Sequence, residues 1–334
     1  MRFLIIRLSS IGDIVLTTPV IRCIYQQVPG ASIHYLVKKN FSSILESNPY
    51  LSKVHYWQEN ISDTIKALSD EKFDVVIDLH HNFRTLKIKS SLAVPSYSFH
   101  KLNVEKWLMT TFKWDRLPEL HITDRYMDTV SSFGVKNDGM GLDFFIPAKD
   151  KVKPGEFSDI LNRDYVAMVT GAAHFTKKLP IHKMAELIKG INHPVILLGG
   201  PEEKKEGEML AANAGSQVVN GCGLFNLHES ASLVQQSKMV ITHDTGLMHI
   251  AAALRKPMVS IWGNTIPGFG MSAYYGSNQV TDFRAEVGGL KCRPCSKIGY
   301  NKCPQKHFRC MEDQHIAEII LQVNSMMSTL STYI

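Results

Sequence analysis

No apolar run in this 334-residue chain approaches the roughly 18 residues that a membrane-spanning helix needs. The N-terminus enters a strand pattern at once, Arg2-Phe3-Leu4-Ile5-Ile6, and lacks the basic region, apolar stretch and small-residue cleavage site of a secretory leader. A cytoplasmic protein is therefore expected. No G-x-G-x-x-G follows the first strand, and the second ends in Val37-Lys38-Lys39 without the acid that an NAD ribose would want, which disfavours a dinucleotide oxidoreductase. The absence of a G-x-x-x-x-G-K-[ST] loop argues against a P-loop kinase. Internal repeats and low-complexity tracts are also missing. Six cysteines are too few for a disulfide framework at this length, so free thiols or a metal site are the default.

What is present is an ordinary globular composition, 44% hydrophobic and 20% charged, at a length suited to two domains of about 150 residues each. Apolar patterning predicts strands at 2–8, 32–37, 53–57 and 73–79, alternating with helices at 14–27, 41–47 and 61–69. Such alternation implies parallel βαβ units and a doubly wound sheet. Residues 80–130 read as helical and irregular. Around 147–154 the pattern dissolves into Lys, Pro, Asp and Gly, a linker composition. Alternation then resumes, with strands at 165–169, 194–198, 217–219, 239–241 and 258–261 and helices at 181–188, 206–214 and 227–235. The expected fold is α/β: two Rossmann-like, doubly wound parallel-sheet domains facing across a cleft, residues 1–153 and 154–312, with a closing helix in 313–334.

Three stretches carry chemistry. Met239-Val240-Ile241 runs into His243-Asp244-Thr245-Gly246 and an Ala/Leu-rich helix, a strand, polar turn and helix N-terminus in which free N–H groups and the helix dipole make an anion site. Thr245 adds a hydroxyl donor. Asp244 either caps the helix or accepts from a sugar hydroxyl, and a capped turn with no ligand is the alternative. Asp13 follows Gly12 on the first turn of the first helix, where the dipole favours its ionised form, so it is a base or an N-cap. Gly12 itself allows close approach to the backbone. Thr176-Lys177-Lys178-Leu179-Pro180 precedes a helix and offers a lysine suited to neutralising a departing pyrophosphate, or simply a surface lysine. Glycine-bearing turns at Gly171, Gly199-Gly200 and Gly246 would lie along one sheet edge and favour a nucleotide-diphosphate site.

Arg7-Leu8-Ser9-Ser10-Ile11-Gly12-Asp13 with Thr18-Pro19, Thr176-Lys177-x-x-Pro180, and Asp244-Thr245-Gly246-Leu247-Met248-His249 with Lys256-Pro257 together resemble the motifs of the bacterial heptosyltransferases, glycosyltransferase family 9. The resemblance implies the GT-B fold and an inverting transfer of heptose from ADP-heptose to the inner core of lipopolysaccharide, at the cytoplasmic face of the inner membrane. It casts Asp13 as catalytic base and Lys177 as the phosphate-binding lysine. Asp244, Thr245, Gly246 and His249 become the donor turn, with Gly171, Ala172, Ala173, Thr176 and Gly199 in the neighbouring turns. Glu203 and Phe225 fall near positions that contact ribose and adenine in the family. Ser10, Gly12, His81, Arg84 and Lys87 are placed on the acceptor side. No cofactor and no metal is required by such a scheme, since the leaving ADP needs charge neutralisation more than a proton. Ala172-Ala173 stand where the family usually has Ser or Thr, and Leu179 where Trp is common. A family member using another nucleotide sugar, or a non-catalytic nucleotide-sugar or anionic-glycolipid binding protein, are the alternatives.

Between Arg84 and Lys113 six basic residues (Arg84, Lys87, Lys89, Lys101, Lys106, Lys113) face one acid, Glu105, with Phe99, Trp107, Phe112 and Trp114 among or beside them. Arg84, Lys87 and Lys89 are expected to meet the phosphates or carboxylates of an anionic glycolipid, and Lys106-Trp107-Leu108-Met109 to rest on the membrane as a peripheral contact. A nucleic-acid role would explain this stretch but not the sheet-edge turns. Cys292-x-x-Cys295, Cys303 and Cys310 are either free thiols packing an irregular loop or the ligands of a structural zinc.

Overall fold

The structure, a computed structural model, describes residues 1–332. The chain forms two compact units: Met1–Leu102, Glu119–Phe145 and Tyr274–Asn278 make the first, and Asn103–Pro118, Ile146–Ala273 and the chain from Gln279 onward make the second.

The first unit is built on five parallel strands, β1 (Arg2–Ile6), β2 (Ser32–Lys38), β3 (Lys53–Trp57), β4 (Val75–Asp78) and β5 (Ser96–Ser98), in the order β3-β2-β1-β4-β5. Ile5 lies opposite Tyr35 on one side and Ile77 on the other, and Phe3–Ile6 are fully buried. A parallel sheet has helices on both faces, so its central strand must be apolar on both sides. The run Phe3-Leu4-Ile5-Ile6 meets that demand. The strand order reverses between β1 and β4, and the loops leaving their carboxyl ends occupy the place where such sheets hold ligands.

The second unit holds β6 (Val166–Val169), β7 (Val195–Leu198), β8 (Val218–Asn220), β9 (Met239–His243), β10 (Met258–Trp262) and β11 (Asp282–Glu286), also all parallel, in the order β11-β10-β9-β6-β7-β8. Its reversal point lies between β6 and β9. The final helix, Ile316–Thr332, feeds Ile316, Ile319, Val323 and Met327 into a core shared with Val166, Leu187 and Val259. The last two residues of the expected closing segment lie outside the described residues. Among the described residues no helix is long and apolar enough to cross a membrane.

Two departures from the expected elements have local causes. The helix expected over 14–27 is two helices, Ile11–Val15 and Thr18–Gln27. Pro19 has no N–H to give, and the hydroxyls of Thr17 and Thr18 bond back to the carbonyls of Ile14 and Val15, each at 2.7 Å, so the backbone ladder breaks there. Strands β5 and β11 were not expected, because each is a sheet edge with mostly exposed or half-buried side chains and no apolar pattern to mark it.

Candidate active site

At the reversal point of the first sheet, β1 ends at Ile6 and Arg7 turns inward. Its guanidinium donates to the carbonyl of Leu79, just past β4, at 2.7 Å, to that of Ser9 at 2.8 Å, and to the Tyr126 hydroxyl at 3.2 Å. Arg7 Nη2 also pairs with Asp13 Oδ1 at 2.6 Å. Asp13 Oδ2 accepts from the Ser10 hydroxyl at 2.7 Å and from the Ser10 N–H at 3.2 Å. Burial pushes the Asp13 carboxyl up, but the Arg7 charge and the Ser10 hydrogen bonds outweigh it and hold the group below the usual carboxylate range. Asp13 is thus ionised at neutral pH and still 18% exposed, so a substrate hydroxyl can reach a lone pair that Arg7 and Ser10 leave open.

Beyond β4, Asp78 is fully buried and accepts from the N–H groups of His80 at 3.1 Å and His81 at 2.7 Å. Burial, and then the charges of Arg7 and Lys101, push the His80 imidazole down to about 4, so it is neutral beside the Asp13 loop. His81 is held at φ +52° with its Nδ1 3.0 Å from the Phe99 carbonyl. Arg84 and Lys87 stand exposed on the helix Phe83–Leu92, with the Arg84 guanidinium over the Trp57 ring. Lys89 does not join them. Its ammonium is 3.0 Å from Asp78 Oδ2 and 2.7 Å from the Ser98 hydroxyl, where it compensates a buried carboxylate. Lys106 is likewise buried, while Trp107, on the same helix, is exposed.

At the reversal point of the second sheet, the loop after β6 meets the loop after β9. Lys177 Nζ lies 2.6 Å from Asp244 Oδ2, which also accepts from the Thr265 hydroxyl at 2.8 Å. Thr245 precedes the helix Gly246–Ala253 in extended conformation, and no side chain caps that helix start. Its N–H groups and dipole are therefore left for an anion, beside a lysine already carried to the spot. His243, at the end of β9, accepts from the Leu179 N–H through Nε2 at 3.0 Å and ties the two loops together. Burial, and then the Lys178 charge, push its imidazole down to about 4, so it is neutral and able to accept.

Gly171 and Gly199 both lie against Glu203: a Cβ on Gly171 would come 2.9 Å from the Glu203 carboxyl carbon, and one on Gly199 2.9 Å from its Cβ. Glu203 accepts from the Gly200 N–H at 3.0 Å and pairs with Lys178 at 3.3 Å. Ala172 is half-buried and Ala173 exposed in the same turn, while the Phe225 ring packs on Phe157 at 4.9 Å. The Thr176 side chain is buried, with its hydroxyl exchanged with Tyr300, accepting from its N–H at 2.8 Å and donating to its carbonyl at 3.2 Å. His249 is buried inside its helix, facing the protein interior. Three participants receive no role from the sequence: Arg7 and His243 lie within the quoted motifs but beside more conspicuous residues in their turns, and Thr265, which arrives from beyond β10, carries no sequence signal.

Residues 61–298 match the profile of Glycosyltransferase family 9 (heptosyltransferase). Lipopolysaccharide heptosyltransferase 1 of Pseudomonas aeruginosa is 23% identical over 327 residues, covering 89% of this chain and 86% of that protein. Among solved structures, the glycosyl transferase family 9 protein of Veillonella parvula superposes with a TM-score of 0.77 at 19% identity over 97% of this chain and 96% of that one. The E. coli heptosyltransferase WaaC with ADP-2-deoxy-2-fluoro heptose superposes with a TM-score of 0.63 at 22% identity, covering 86% and 94%.

Proposed function

We infer that this chain, which belongs to glycosyltransferase family 9, the heptosyltransferases, transfers heptose from ADP-heptose to the inner core of lipopolysaccharide with inversion at the anomeric carbon. The observation that carries the donor side is the Lys177–Asp244 pair at the uncapped start of the helix Gly246–Ala253. A nucleotide diphosphate leaving group develops negative charge as its bond to the sugar breaks. Lysine and free helix N–H groups meet that charge without a proton transfer.

Asp13 is the base of this reading. The acceptor oxygen attacks the anomeric carbon, its proton passes to the Asp13 carboxylate, and the bond to the ADP oxygen breaks with its electron pair leaving on ADP. A single displacement of this kind inverts the configuration. On the same unit Arg84 and Lys87 suit the anionic groups of a core glycolipid. Phe83 and Leu86, exposed on their helix, and Trp107, Phe112 and Trp114 elsewhere suit a peripheral contact with an anionic membrane surface.

The test is a thermal-shift panel of ADP, UDP and GDP sugars, followed by transfer assays on core acceptors with the native protein and Asp13→Asn. Stabilisation by ADP-heptose and a variant that binds it but does not transfer support the reading. A shift with UDP or GDP sugars alone overturns the donor, and undiminished transfer by Asp13→Asn overturns the base.

A further inference from the structure

Cys292, Cys295, Cys303 and Cys310 are free thiols, and among the described residues they do not gather into a set of three that one ion could reach. The metal-ligating side chains that do converge belong to the first unit: His34, His55 and Glu71, whose ligand atoms all lie within 4.8 Å of one another. We propose that His34 Nδ1, His55 Nε2 and the Glu71 carboxylate form a binding site for a divalent transition-metal ion of the zinc class, which braces the edge of the first sheet.

The sheet supplies two of the three ligands. β2 and β3 run parallel with His34 opposite Lys53 and Leu36 opposite His55, so the two histidines stand on one face as a diagonal pair. Glu71 comes from the turn between the helix Ile61–Ser69 and β4, where the Arg2 guanidinium donates to its backbone carbonyl and holds the turn against β1. His34 Nδ1 lies 2.9 Å from His55 Nε2 and 3.8 Å from Glu71 Oε2, and His55 Nε2 lies 3.9 Å from Glu71 Oε1. Ligands about 2.0–2.1 Å from a tetrahedral zinc are about 3.3 Å apart, so shifts of about half an ångström would close this triangle on an ion.

The chemistry of the three groups suits that ion. Both imidazoles are buried, and the Phe73 ring meets them edge-on at 5.2 and 6.1 Å, walling them on an apolar side. Nitrogen facing nitrogen, the rings can share a single proton, and a carboxylate brings negative charge to the same point. Neutral imidazoles and a carboxylate are a donor set of zinc, and a partly exposed Glu71 leaves water access to a fourth position. Glu71 already holds a cation, the Lys53 ammonium. Lys53 is more than half exposed, so it can swing into water as an ion takes its place.

The site's position defines its role. Glu71 precedes β4 at the amino ends of the strands, whereas Arg7 and Asp13 follow β1 at the carboxyl ends, so the ion stands away from the transfer chemistry. It joins β2, the edge strand β3 and the turn before β4, three segments whose mutual packing is otherwise side-chain contact at a sheet margin. The ion is therefore structural, and the site is independent of which sugar nucleotide binds.

The test reads metal directly. Tag-free, full-length protein stripped of metal is titrated with zinc chloride by calorimetry, thermal unfolding is followed with and without zinc, and cobalt(II) serves as the spectroscopic stand-in. Saturation at about one equivalent, a raised melting temperature, and a cobalt spectrum with visible d–d bands but no sulfur-to-metal charge transfer support the site. His55→Gln and Glu71→Gln should each lose more than the roughly 10- to 100-fold in affinity that removal of an outer-shell partner costs. Lys53→Met, which removes the competing ammonium, should gain about 2- to 5-fold. The absence of saturable zinc uptake by the native protein overturns the proposal, as does uptake that His55→Gln leaves unchanged or a cobalt spectrum dominated by thiolate charge transfer. If His55→Gln does not fold, the native cobalt spectrum and the direction of the Lys53→Met change still decide, and weaker or equal binding by Lys53→Met counts against the site.

Discussion

Arg7 spends its guanidinium on Asp13, Leu79, Ser9 and Tyr126 at once, and that sets the proton affinity of the proposed base. With Arg7 in place Asp13 stays ionised to below the ordinary carboxylate range, so the acid limb of kcat/KM due to it lies below where an ordinary aspartate would put it. In Arg7→Met, burial acts unopposed by that charge and the limb moves upward; a pH–rate profile that stays flat on the acid side sinks the assignment. Asp13→Asn keeps the shape but cannot take the proton, and transfer is expected to fall about 100- to 10,000-fold with ADP-heptose affinity unchanged by calorimetry. On the donor side Lys177→Met removes one charge-assisted contact, worth about 1.5–3 kcal/mol, so the donor KM rises roughly 10- to 100-fold while acceptor affinity holds.

The loop after β10 reaches the donor turn only because Gly263 has no side chain. A Cβ there would stand 2.6 Å from the Thr176 carbonyl and 2.7 Å from Met311 Cε. Gly263→Ala is expected to push the Lys177 loop off Asp244, weakening ADP binding and lowering stability by about 1–3 kcal/mol; unchanged affinity and melting temperature would show that the backbone has room. Much of this framework was legible beforehand. Strand Lys53–Trp57 and helix Ile61–Ser69 lie where apolar periodicity predicts them, because both are short elements with clean boundaries. The break at Thr17 was not, since it depends on two hydroxyls folding back on carbonyls inside an otherwise helical pattern. The site divided in the same way. Asp13 announces itself by charge beside glycine, and Lys177 and Asp244 by charge in polar turns that lead into helices, whereas Arg7 to Leu79 and Thr265 to Asp244 span 72 and 21 residues, and such pairings exist only once the sheets are formed. Lys89 misled for that reason: its partner Asp78 looks like an ordinary strand residue until the chain folds.

Acid should unfold this protein through its histidines before its carboxylates. His55, His80 and His243 are each pushed down to about 4, primarily by burial, from an ordinary value of 6.5. Between those values the unfolded chain binds protons that the folded chain refuses, so stability is complete above about 6.5 and drains as pH falls toward about 4. Thermal unfolding is expected to shift downward across that interval, and calorimetry in buffers of different ionisation heat should find proton uptake on unfolding at about pH 5. Unfolding without uptake would contradict it. The short segment Tyr274–Asn278 has a different kind of consequence. It belongs to the first unit although the chain on both sides of it belongs to the second. Tyr274 donates to Asp124 at 2.8 Å, accepts from Asn137 at 2.7 Å and stacks on His121, and Gly276 at φ +62° rests so close to Gly139 that a Cβ would stand 2.2 Å from its carbonyl oxygen. Anyone recombining this enzyme with a relative to exchange acceptor specificity therefore cannot splice at one mid-chain junction. A hybrid joined after Phe145 would inherit five foreign residues in the half meant to stay intact, and a workable parts boundary has to carry 274–278, and return 103–118, along with the segments they serve.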